Sequence, residues 1–207
     1  MSIDSQQRPT ATIAADALAR AVADAVARYE ATNDAGALVQ QLLTLAADAE
    51  PDALVAAAEP YRQIPEVSGP LYERVVALRP NDARALVILA NAYWLTGRGP
   101  DVVGELATRA IAADPANRGA WHLWALTESN PRQRTHRWQQ VTRRFPQDLL
   151  AKSLLADNAA SLAGAEHDDE ALVLAIATYE ELLAVADQPA QRTALERALT
   201  TLRGWKL

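Results

Sequence analysis

The chain of 207 residues has no cysteine, one methionine and one phenylalanine, and aromatic residues make up only 5% of it. The missing thiols exclude a disulfide framework, a thiolate zinc site and a cysteine nucleophile. With so few large rings, the core must be filled mainly by small and medium side chains. Basic charge is also short: 20 Lys and Arg stand against 26 Asp and Glu, a formal charge of −6 with a pI near 5.1. That balance disfavours nucleic acid as a partner, because neutralising phosphates requires a basic surface or stripe. No segment approaches the roughly 18 uninterrupted apolar residues that cross a bilayer. The opening "MSIDSQQRPT" has no basic region followed by an apolar run. The expectation is a cytoplasmic protein with no membrane contact.

What the chain has in abundance is alanine and leucine, with 50% hydrophobic residues and 11 prolines. Alanine has the highest helix propensity and no side-chain entropy to lose, so this composition predicts many short helices packed closely. No stretch reads as a strand. The length is enough to bury one continuous core or two small ones.

Residues 1–10 are polar and aperiodic and are expected to form a disordered tail. Over 11–30, Leu18, Val22, Val26 and Tyr29 recur at steps of three and four, the stripe of an amphipathic helix. Asp34 is the expected N-cap of a second helix with Leu38, Leu42, Leu45 and Ala46 on one face. Pro51 opens a third. These elements make residues 11–60 an N-terminal helical extension. The segment "PYRQIPEVSGP", with three prolines and a glycine, predicts an irregular link and a boundary, with Ser68 capping the helix that follows.

Beyond it the pattern becomes regular. Pro80, Pro115 and Pro146 stand 35 and then 31 residues apart, each followed two residues later by Asp82, Asn117 or Asp148. These side chains are suited to accept from free amides in the next helix's first turn. A near-constant period that contains two helices is the mark of a repeat array.

In "ALVILANAYWLTG", Leu86, Leu89, Ala90, Tyr93 and Gly97 follow a large-large-small-Tyr-Gly order, and Val103, Ala107, Ala110 and Pro115 continue it in the next helix. The following unit places Trp121, Trp124 and Ala125, then Trp138, Val141 and Pro146, at corresponding positions. On these residues the segment 71–148 resembles tandem tetratricopeptide repeats of bacterial type. The resemblance implies an all-α, right-handed α-solenoid of helix-turn-helix repeats. It would span 61–188 as three to four units, the first partial, with 189–207 as a C-terminal capping helix.

Catalytic signals are missing. His122, His136 and His167 lie in separate segments with no metal-ligand spacing, and no phosphate loop, nucleophile elbow or zinc-protease helix occurs. The expectation is no enzyme, no cofactor and no metal. "EHDDE", 166–170, reads more simply as a solvated loop with Asp168 or Asp169 as a helix cap than as a cation site.

Two binding surfaces stand out instead. In the repeat family one side of each first helix lines a concave groove. The resemblance assigns Arg84, Val87, Asn91 and Trp94 to that groove, continued by His122 and Leu126 and then by Ser153 and Asp157. An amide, an indole and a guanidinium suit an extended peptide or a partner helix. The family's carboxylate clamp is matched only at Asn91, since Val87, Leu150 and Leu154 stand where its basic residues would be. The second surface is "PRQRTHRWQQVTRR", with five arginines and no acid, where Arg137, Arg143 and Arg144 are candidates for a basic ridge.

The expected function is a non-catalytic adaptor or scaffold that holds a protein or peptide partner in its groove. The alternatives are an assembly or secretion chaperone for a client protein, or a structural homo-oligomer joined through the Ala-rich N-terminal helices.

Overall fold

The computed structural model describes residues 7–206, with side chains over 14–206. Every regular element among them is helical. The chain forms two compact units, one up to Leu123 and the other from Trp124.

The first unit begins with α1 (Gln7–Thr32), α2 (Ala35–Ala46) and α3 (Pro51–Ala58), followed by a 3-10 turn (Glu59–Tyr61). It continues with α4 (Pro65–Leu78), α5 (Ala83–Leu95) and α6 (Pro100–Ala113). α1 therefore starts inside the stretch expected to be a disordered tail, and residues 1–6 lie outside the described residues. α1 packs on α2 and α3, α4 on α2, α3 and α5, and α5 on α6. Each helix buries the apolar face set by its three-and-four spacing: Val22 and Val26 from α1, Leu38 and Leu42 from α2, Leu86 and Leu89 from α5.

The expected link at 60–70 is largely helical. Pro65 opens α4 at a position whose amide has no helical partner, so the ring costs nothing there. Pro70 lies inside the same helix and removes one backbone hydrogen bond. Burial offsets that loss, because Val67, Ser68, Gly69, Pro70 and Leu71 are all enclosed. Ser68 is thus an interior helical residue, not a cap, and the chain divides between Leu123 and Trp124 rather than near 60.

The repeated caps form as the spacing predicts. Asp34, Asp82, Asn117, Asp148 and Asp168 each accept a hydrogen bond from the amide three residues on, at 2.9–3.2 Å. Within "TGRGP", Gly97 and Gly99 take φ of 75° and 94°, a region closed to most side chains, and so reverse the chain between α5 and α6.

α7 (Arg118–Leu126) carries the point where the two units divide. The second unit contains α8 (Pro131–Arg144), α9 (Leu149–Glu166), α10 (Asp169–Val185) and α11 (Pro189–Arg203), each packed on the next. Asn130 caps α8 by accepting from the Gln133 amide at 2.9 Å. Trp138, Val141, Ala151, Ala156, Ala159 and Ala163 are buried here. α11 covers α10 with Leu199 and Leu202, and Trp205 closes over Ala163 and Ala159. Gly164 lies against that indole: a Cβ there would come within 3.2 Å of the ring.

Candidate functional site

A cavity of about 450 Å³ opens in the first unit between α4, α5 and the chain leading into α7. Its position follows from helix periodicity. Arg84, Val87, Ile88, Asn91 and Leu95 recur at steps of three and four, so one face of α5 lines it, while the opposite face with Leu86, Leu89 and Ala90 is buried. Ser68 contributes from α4, Arg62 and Gln63 from the segment before it, and Asn117 from the cap of α7. A tight approach holds the wall: a Cβ on Gly119 would meet Val87 Cγ1 at 3.3 Å.

Its polar groups have spare hydrogen-bonding capacity. Asn91 donates through Nδ2 to the Val87 carbonyl at 3.1 Å, which leaves its Oδ1 as an acceptor. Asn117 uses Oδ1 to accept from the Ala120 amide at 3.2 Å, which leaves its NH2 group as a donor. Arg84 reaches Glu59 at 3.2 Å, and Arg62 meets the same carboxylate at 3.2 Å. Beneath this trio lies Tyr72, whose buried hydroxyl has no hydrogen-bond partner. Burial first, and then the Glu59 charge, push its pKa up.

The neighbouring Tyr93 belongs to the framework. Its hydroxyl donates to Glu73 at 2.8 Å, tying α5 to α4, and Arg98 sits over its ring at 5.1 Å. Burial and then the Glu73 hydrogen bond raise its pKa to about 12, so the phenol stays a neutral donor.

The residues assigned to a single groove fall in several places. Arg84, Val87 and Asn91 share the first cavity. Trp94 is 39% exposed but lies outside its lining, and Leu95, one position on, takes the place expected for the indole. His122 is half-buried in the first unit, and Leu126 is exposed in the second. Ser153 and Asp157 line a separate cavity of about 320 Å³ between α9, α10 and α11. There Asp157 accepts from the Tyr179 hydroxyl at 2.5 Å, which together with burial pushes that phenol's pKa well up.

The basic ridge contracts to two residues. Arg137 is turned inward and only 26% exposed, pairing with Glu128 at 2.7 Å, donating to the Trp124 carbonyl at 2.7 Å and stacking 4.5 Å over the Trp124 ring. Arg143 and Arg144 remain exposed in the last turn of α8, where they favour the helix's negative end. His167 and Asp168 have local duties. His167 ends α9 in the left-handed conformation, and Asp168 caps α10 while pairing with Arg132 at 2.6 Å.

Sequence reasoning missed Arg62, Gln63, Ser68, Ile88 and Leu95, and it read Asn117 as a cap alone. The first three lie in the segment read as a link, so their helical register was hidden. Leu95 follows Asn91 by four and Ile88 by seven, a signal that was present but overshadowed by the tryptophan beside it.

No family model matches the chain, and the search of curated proteins finds no match. Solved structures do match. PilF of Pseudomonas aeruginosa superimposes with a TM-score of 0.60 at 17% identity, over 94% of this chain and 86% of its own. A MamA crystal structure gives 0.58 at 17% identity over 83% and 98%. A thermophilic TPR protein of Thermus thermophilus gives 0.53 at 17% identity over 87% and 98%. The chain has the tetratricopeptide-repeat fold. Most of the expected repeat positions pack: Leu86, Leu89, Ala90, Val103, Ala107, Ala110, Ala125, Trp138 and Val141 are buried, whereas Trp121 and Trp124 are only half-buried. The Trp121 indole N–H donates to the Pro115 carbonyl at 3.0 Å. Among the described residues no helix is long and apolar enough to cross a membrane.

Proposed function

We propose that the chain is a non-catalytic binding protein that holds an extended segment of a partner protein in the cavity of its first unit. The observation that carries this reading is the face of α5. It presents Arg84, Val87, Ile88, Asn91 and Leu95 side by side in an open cavity, with Leu95 left 69% exposed. Apolar side chains to cover residues of a segment, with an amide acceptor and an amide donor between them, match the needs of an extended peptide. Such a peptide must satisfy its backbone groups while burying alternate side chains.

Peptides selected from a random display library against the intact protein test this. Binding should fall with Leu95→Asp and with Asn91→Ala, and persist with Val173→Ser, a control on the exposed side of α10 in the other unit. Selected peptides that bind all three variants alike would remove the cavity from consideration.

A further inference from the structure

We propose that the first cavity recognises an acidic side chain of the bound segment, and that Glu59 is a built-in competitor which occupies the carboxylate position until such a segment displaces it. This rests on the peptide-binding reading above and names the chemistry that the peptide must carry.

The argument begins with charge. Among the described residues lining the cavity the charged groups are Arg62 and Arg84, in a chain whose overall charge is −6. The two guanidinium groups come from different elements, one before α4 and one from the first turn of α5. They converge on one carboxylate: Glu59 Oε1 lies 3.2 Å from Arg62 Nη1, and Glu59 Oε2 lies 3.2 Å from Arg84 Nη2. Two cations held close enough to share one carboxylate already form a carboxylate-binding fork. Glu59 is the one acid in contact with both guanidinium groups; Asp82, the other acid felt at Tyr72, is engaged by its side chain in capping α5.

Glu59 is a weak occupant. It stands at the surface on the short 3-10 turn, 49% exposed in its side chain, while Arg62 and Arg84 are 40% and 63% exposed. Exposed ion pairs of this kind contribute little, because water screens them and long side chains lose freedom in making them. An incoming carboxylate that also gains backbone hydrogen bonds and apolar contacts within the cavity can therefore replace it. The floor adds a hydroxyl. Ser68 is 1% exposed and lines the cavity. The orphaned Tyr72 hydroxyl lies beneath the same cluster.

Fluorescence anisotropy on the intact protein gives the test, with two fluorescein-labelled, C-terminally amidated peptides as probes. One alternates leucine with glutamate, and the other alternates leucine with glutamine. Amidation removes the terminal carboxylate, so any acid preference must come from side chains. The wild type should bind the glutamate peptide about tenfold more tightly, with a preference that shrinks as salt is raised. Joint Arg62→Gln and Arg84→Gln substitution should erase that preference without lowering the melting temperature. Glu59→Gln is the decisive variant. It should tighten the glutamate peptide about three- to fivefold and leave the glutamine peptide unchanged. Tightening of both peptides alike, or none, would overturn the competitor role. Equal binding of the two peptides by the wild type, lost with Leu95→Asp, would overturn the acid preference and keep the peptide groove. Binding of neither peptide would also overturn the acid preference, while the display selection judges the groove separately.

Discussion

The hairpins α5/α6 and α9/α10 are built on the same plan and end differently. In the first, helices of 13 and 14 residues are joined through residues 96–99, where Gly97 and Gly99 supply the positive φ. In the second, helices of 18 and 17 residues are joined through only His167 and Asp168, and the positive φ of 53° falls on a histidine. A reversal between antiparallel helices needs a left-handed residue in both cases, but glycine takes it freely and histidine at a cost. The two cavities differ in the same spirit. The polar groups of Asp157 and Tyr179 close on each other in the second, whereas Asn91 and Asn117 keep open valences in the first. One scaffold thus supports a cavity whose acid is engaged by a neighbouring phenol and another whose amides keep open valences.

The sharpest way to break the comparison is to damage one unit and watch the other. Trp138→Ala removes the largest fully buried side chain and should destabilise the second unit by about 3–5 kcal/mol. Chemical denaturation followed by circular dichroism should show an earlier loss of helix, while hydrogen exchange finds the α5 amides of the first unit protected up to the original midpoint. A single transition shifted as a whole would mean that the units unfold together.

Cap deletions sharpen the comparison at smaller scale. Asp82→Ala and Asp148→Ala each remove a side-chain acceptor for a helix amide and should cost about 1 kcal/mol in urea melts. Asp148 should cost the more, since it is buried and Asp82 only partly so. Equal losses would show that burial of the cap does not matter. The turns should respond with opposite signs. His167→Gly relieves a strained φ and should gain up to about 1 kcal/mol, whereas Gly97→Ala should lose about 1 kcal/mol. Differential scanning calorimetry reads both.

The smallest effect concerns pH. The Ala171 amide first, and then Arg132, hold the Asp168 pKa below the usual carboxylate range. A folded-state pKa below the unfolded one means that this stabilisation is present at neutral pH and disappears as the pH falls through the folded value. The acid limb of a stability profile should therefore flatten in Asp168→Asn. An unchanged acid limb would show that Asp168 contributes nothing to it.

Much of the fold was legible because its signals are local. Pro80, Pro115 and Pro146, with Asp82, Asn117 and Asp148 after them, are local stops and starts that act within one helical turn. Leu86, Leu89 and Ala90 carry their own periodicity. The segment 60–70 was misread because prolines argue locally against a helix. The helix there is stabilised by burial of Val67, Ser68 and Pro70 against other elements, which no local pattern records. Arg137 was misplaced for the same reason, since its partners Trp124 and Glu128 lie outside its own helix.

The sequence by itself determined the helical composition, the places where helices begin and end, and the faces that pack. Each of these depends on interactions within about four residues. Tertiary structure alone decided that Arg62 and Arg84 converge on Glu59, that Leu95 rather than Trp94 lines the first cavity, and that Asp157 is closed by Tyr179. Those outcomes depend on how separate helices meet. Side chains 22 to 25 residues apart, such as Tyr179 with Asp157 and Arg84 with Glu59, become neighbours only after packing has fixed the angle and height of each helix.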